Sequence, residues 1–93
     1  MITTARVETA TPSRYLGQLC KHFAHRIPAS HDERQGRIEF PEALCELEAE
    51  EGALVLRLTT AEEAVMARMQ KVVADHLLRF AFRDPPQVVW QPG

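Results

Sequence analysis

At 93 residues the chain has room for one folded domain, 1–93, and a chain of that size buries roughly 60–68% of its unfolded surface, enough for one hydrophobic core. Its 11 basic and 13 acidic residues give a formal net charge of −2, which leaves no electrostatic footprint for nucleic acid or an anionic membrane. No window approaches the ~18 consecutive apolar residues of a membrane span, and the N-terminus lacks a basic-then-apolar signal, so the expectation is a soluble, cytoplasmic protein.

Residues Ile2 to Glu8 alternate Thr3, Ala5 and Val7 with Thr4, Arg6 and Glu8, which predicts a half-buried first strand. A helix follows from Thr11 to Ile27. Thr11 is placed as its N-cap, and Pro12 as its first residue, where the missing N–H costs nothing. Leu16, Leu19, Cys20, Phe23 and Ile27 recur at spacings of three and four and form the side that must be buried. Beside that side runs a polar ridge of Tyr15, Gln18, His22 and His25, with Arg14 and Lys21 further toward solvent.

Pro28 ends the helix, and the polar stretch Ala29 to Gly36 reads as the longest loop. Alternation resumes at Arg37 to Phe40, turns at Pro41-Glu42, and continues through Leu44 to Glu50, with Cys45, Leu47 and Ala49 inward and Glu46, Glu48 and Glu50 outward. Glu51-Gly52 predicts a tight hairpin into Ala53 to Thr59, whose Leu54, Leu56 and Leu58 face in. Thr60-Ala61-Glu62-Glu63 fits a capping box that opens a second helix with the buried stripe Val65, Met69, Val72, Val73, His76, Leu77 and Phe80. Asp84-Pro85-Pro86 forbids its continuation, and Gln87 to Gln91 predicts a short last strand. The order is β-α-β-β-β-α-β. With both helices apolar on one side only, this predicts an α+β two-layer sandwich: one mainly antiparallel sheet with two helices on one face.

The blocks Arg14 to His25 (R-Y-L-G-Q-L-C-K-H-F-A-H), Gly36 to Pro41 (G-R-I-E-F-P) and His76 to Arg83 (H-L-L-R-F-A-F-R), followed by Trp90, resemble the small bacterial family DUF2218 over nearly the whole chain. The resemblance implies a compact bacterial protein whose relatives tend to occur beside, or fused to, siderophore-interacting flavoproteins and iron-uptake genes. The family's function is unknown, and it supplies no catalytic residues to carry over.

Several chemistries compete for the polar ridge. Arg14, Tyr15, Gln18, His22 and His25 offer a cation, a phenol, an amide and two imidazoles, which suits carboxylate, catecholate or phosphate oxygens of a small anionic ligand. His22 and His25, three apart on a helix, are also candidate ligands for iron or zinc, provided that His31, Asp32 or Glu33 folds back as a third donor. Exposed or partly packed polar histidines are the plain alternative. His76, inside an apolar stripe, is expected as a neutral core histidine donating to a carbonyl. Cys20 and Cys45 point into the core, so neither a disulfide nor a Cys–His nucleophilic pair is expected. No nucleophile elbow, phosphate-binding loop or dinucleotide fingerprint occurs.

The charged outer sheet face (Arg6, Glu8, Arg37, Glu39, Glu46, Glu48, Arg57) reads as a solvated surface with cross-strand pairs. Ala67, Lys71, Ala74 and Leu78 form the back of the second helix, on which, or through an edge strand, a homodimer could assemble. The leading expectation is a non-catalytic accessory or small-ligand-binding domain associated with iron or siderophore metabolism. A siderophore-interacting flavoprotein is a candidate partner. A metal-dependent protein or enzyme using His22 and His25, and a structural homodimerising domain, are the alternatives.

Overall fold

The alternating strands close into one six-stranded sheet in the computed structural model, which describes residues 1–93. Strands β1 (Ile2–Glu8), β2 (Ala29–His31), β3 (Gln35–Phe40), β4 (Ala43–Glu50), β5 (Ala53–Thr59) and β6 (Trp90–Pro92) lie in the order β2-β3-β4-β5-β1-β6, and every neighbouring pair is antiparallel. Helices α1 (Pro12–Ala24) and α2 (Glu63–Phe80) cover one face, giving the expected α+β sandwich.

Register explains the core. Cys45 stands between Ile38 and Leu58, and Leu47 between Gly36 and Leu56, so each inward row of β4 meets apolar or absent side chains on both neighbours. Val7 and Ala49 flank Leu54 in the next row. Leu16, Leu19 and Cys20 of α1 and Val65, Met66, Met69, Val73 and Leu77 of α2 close over them as one continuous cluster. On the other face Glu46 lies between Arg37 and Arg57. Gly52 takes φ +76° in the hairpin between β4 and β5, the left-handed conformation that glycine adopts without a Cβ clash.

Five local expectations are corrected. The stretch after Pro28 is not all loop: Ala29, Ser30 and His31 pair with Ile38, Arg37 and Gly36 as an added edge strand, β2. Asp32 then builds the turn, its Oδ1 accepting the backbone N–H groups of Arg34 and Gln35, both at 2.8 Å. The Thr60–Glu63 capping box does not form. The Thr60 hydroxyl donates instead to the Glu42 carbonyl at 2.8 Å, and α2 begins at Glu63 with Glu62 as N-cap. Thr11 occupies the N-cap of α1 without a side-chain cap bond, and α1 ends at Ala24 rather than Ile27. Met66 joins the buried stripe of α2, whereas Val72, His76 and Phe80 are only half-buried at its margin. The last strand is Trp90–Pro92, antiparallel to Thr3–Ala5, shorter and later than the alternation predicts.

Candidate functional site

Helix α1 and the turn after it set the electrostatics of one side of the molecule. From Pro12 to Arg26 there is no Asp or Glu, but there are Arg14, Lys21 and Arg26 together with His22 and His25. The ion pairs of the protein lie elsewhere: Arg6 with Glu50, Arg68 with Glu42 and Lys71 with Asp75. The α1 cations therefore carry unneutralised charge on a chain that is acidic as a whole, a sign asymmetry that favours anions or acidic partners at this face.

The expected ridge is divided between two flanks of the helix. On one flank, a cleft of about 450 Å³ opens between α1 and the β2–β3 turn, lined by Ser13, Arg14, Gly17, Gln18, Lys21, His31, Asp32 and Glu33. Its walls are tied together where the Ser13 hydroxyl donates to the Glu33 carbonyl at 2.7 Å. His31, on β2, lies against Gly17, where a Cβ would stand in ordinary van der Waals contact, 3.7 Å from its Nε2. The Asp32 carboxylate is held below its ordinary pKa by the two backbone N–H groups it accepts, so it stays ionised and engaged in the turn. Gln18 contributes the one unsatisfied side-chain polar atom of the interior, its buried Oε1, which meets no donor.

Tyr15 and His22 occupy the other flank, toward α2. Tyr15 is half-buried against the core. His22 is not among the residues that line the cleft, although Gln18, one turn before it, is. The His22 ring lies 4.8 Å from that of His76 between centroids, 5.0 Å from Phe23 and 6.0 Å from Phe80. Partial burial among these rings, then the positive fields of His76, Arg79, His25 and Arg26, pull its pKa below the ordinary 6.5. His76 donates Nδ1–H to the Val72 carbonyl at 2.7 Å; a carbonyl only accepts, so Nδ1 carries a proton, and in the neutral ring the lone pair is on Nε2. The carbonyl bond is the expected one, but the ring lies at the edge of the core rather than within it, and Nε2 has no protein partner, against the expectation that both nitrogens are satisfied locally.

His25 is exposed just beyond the end of α1. His31, Asp32 and Glu33 do not fold back toward His22 and His25, and no group of three or more His, Cys, Asp and Glu side chains comes together to hold a metal ion. Cys20 and Cys45 are free and buried, with Cys20 raised to about 11 by desolvation, which removes the activated thiol that nucleophilic chemistry needs. On the back of α2, Ala67 and Lys71 are exposed, Ala74 and Leu78 half-buried, and Lys71 is engaged by Asp75 at 2.9 Å. The sheet ends in strands of only three residues, β2 and β6, which offer little edge for another chain to extend. No helix is long and apolar enough to cross a membrane.

Of the residues that line the cleft, the sequence names Arg14 and Gln18 as candidate ligand contacts. It placed Lys21 beyond them and His31 in a loop. The signal that brings His31 in is Asp32, a turn-forming residue one position later, which converts the preceding three residues into a strand paired with β3.

A family model described as "Uncharacterized protein conserved in bacteria (DUF2218)" matches residues 4–91. The chain is also similar to the NMR structure of PA4090 from Pseudomonas aeruginosa, with a TM-score of 0.82 and 36% sequence identity over 98% of this chain and 95% of that one. No curated protein matches the chain.

Proposed function

Since the chain belongs to the DUF2218 family of uncharacterised bacterial proteins, we propose that it is a non-catalytic accessory domain that binds a small anion carrying a hydroxyl donor, in the cleft between α1 and the β2–β3 turn. One observation carries the reading: the unpaired Arg14 and Lys21 border the same concavity as Gln18, whose Oε1 is buried without a donor. Carboxylate or phenolate oxygens would meet the cations, Arg14 in bidentate fashion, and a turn of the Gln18 amide toward the cleft would bring its buried oxygen to a ligand hydroxyl. Asp32 and Glu33 on the far wall select against a bare polyanion and favour a ligand with both charge and donors.

Hydroxycarboxylates and catecholates meet that description. They are the chelating groups of siderophores, and the iron-uptake neighbourhood implied by the family resemblance fits the same reading. The buried thiols, with Cys20 raised to about 11, leave a cysteine nucleophile without a candidate. Titration of the isotope-labelled protein with citrate and with 2,3-dihydroxybenzoate tests it. Amide signals of Gly17 and His31 and the Gln18 side-chain NH₂ should shift in a saturable way, more weakly as salt is added, and Arg14→Glu with Lys21→Glu should remove the effect. Unchanged spectra with both compounds would overturn the proposal.

A further inference from the structure

The imidazole pair on the opposite flank of α1 is not used by that reading, and it has the properties of a chelating pair. We propose that His22 and His76, one from each helix, bind a single borderline divalent cation such as Zn²⁺, Ni²⁺ or Cu²⁺ through two ring nitrogens, with water or an incoming ligand completing the coordination.

Three observations support this. The rings come from different helices, 4.8 Å apart between centroids and tilted by 44°, so they are neither stacked flat nor splayed apart. Each ring nitrogen lies only about 1 Å from its centroid, and nitrogens about 3 Å apart can both reach an ion at ~2.0–2.1 Å. Second, the Nδ1–H of His76 is committed to the Val72 carbonyl at 2.7 Å, which fixes the tautomer and leaves Nε2 as donor. Metal-binding histidines are held in this way, by a backbone carbonyl on the non-coordinating nitrogen. Third, His22 makes no hydrogen bond with either ring nitrogen to another protein group and is exposed, which gives the ion both a donor and an entrance, while Phe23 and Phe80 shield the inner side.

The charged surroundings set the limits of the site. Arg79, Arg26 and His25 bear on His22 with positive potential and weaken cation binding; Asp75, adjacent to His76 and held ionised by Lys71, offsets part of it. With no third protein donor, the site is open and exchangeable rather than structural.

Zn²⁺ and Ni²⁺ are titrated separately into the tag-free protein by calorimetry, with the histidine ring signals followed by NMR. The expected result is one saturable site per chain, with shifts at the His22 and His76 rings. His22→Ala and His76→Gln should each weaken binding at least tenfold, while His25→Ala does not weaken it. His22 is a surface side chain, so its variant tests the pair in a protein whose amide spectrum shows that it remains folded. No saturable binding in the unsubstituted chain, or binding that survives His22→Ala in the folded variant, overturns the proposal.

Discussion

Gly36 on β3 lies directly beneath Cys20 on α1: a Cβ at position 36 would stand 2.7 Å from the Cys20 sulfur and 3.3 Å from Leu16 Cδ2. The absence of a side chain lets the helix seat on the sheet, with Leu16 and Cys20 filling the row that Leu47 and Leu56 continue. Gly36→Ala should therefore destabilise the fold by about 1–3 kcal/mol, as overpacking of a closed core does, despite the better strand propensity of alanine. Urea denaturation measures it. Combining Gly36→Ala with Cys20→Ala should recover part of the loss, because the nearest clashing atom is removed; equal loss with and without the sulfur would show that the clash is not the cause.

A buried Thr60 hydroxyl donating to the Glu42 carbonyl ties the end of β5 to the turn before β4. Thr60→Val keeps the branched shape but leaves that carbonyl without its donor, at a cost of about 1–2 kcal/mol. Glu63→Gln, at the other end of the unformed capping box, should cost less than half as much. If the two substitutions cost the same in thermal or urea unfolding, the helix terminus and not the β-turn is what Thr60 supports.

Those two positions show what the sequence could and could not reveal. Cys45, Leu47 and Ala49 alternate with Glu46, Glu48 and Glu50, and Leu54, Leu56 and Leu58 repeat the pattern, so burial alone dictates their strands. The placement of β1 between β5 and β6 joins segments far apart in the chain and leaves no local pattern. Thr60 has the sequence signature of a cap, yet the Glu42 carbonyl, 18 residues earlier, competes for the same hydroxyl and wins. The polar ridge of α1 was legible as a ridge, but its division was not. Which flank faces α2 depends on how the helices cross, and that brings His22 to His76 rather than leaving it beside His25 alone. The cleft needed β2, whose three residues are too few to show a period.

Protonation of His22 should weaken the fold. Its folded pKa lies below the ordinary 6.5, so as pH falls below about 6.5 the unfolded chain takes up a proton that the folded chain resists. The stability is fully present above that pH, declines as pH falls toward the lower folded value, and levels off beneath it. His22→Gln removes this contribution. The difference in urea midpoint between the two proteins should be constant above pH 7 and change between pH 6.5 and 5 in favour of the variant. A difference that stays flat across the range would show that the ring titrates as freely as in the unfolded chain.

The two thiols should behave oppositely to surface cysteines. Desolvation raises Cys20 to about 11 and pushes Cys45 up as well, with Cys20 and Glu46 adding to the shift of Cys45. Only thiolate attacks a disulfide reagent, so at pH 8 both sulfurs are shielded twice, by burial and by protonation. Reaction with an aromatic disulfide should count two thiols at once in denaturant, and proceed on the order of a thousandfold or more slowly in the native protein, where an opening event must come first. Cys20 should react before Cys45. It lies on α1, above the short edge formed by β2 and β3, and lifting the helix exposes it; Cys45 lies on β4, hydrogen-bonded on both sides by β3 and β5. In Cys20→Ala the remaining thiol should therefore label through global unfolding and, where refolding outpaces the reagent, in proportion to the unfolded population, with a dependence on urea as steep as the equilibrium transition. The same raised pKa values make the fold lose stability as pH rises above about 9, since the unfolded chain releases its thiol protons first and the folded chain retains them. Rapid labelling of both thiols in the native protein at pH 8 would mean that α1 does not stay seated over Gly36.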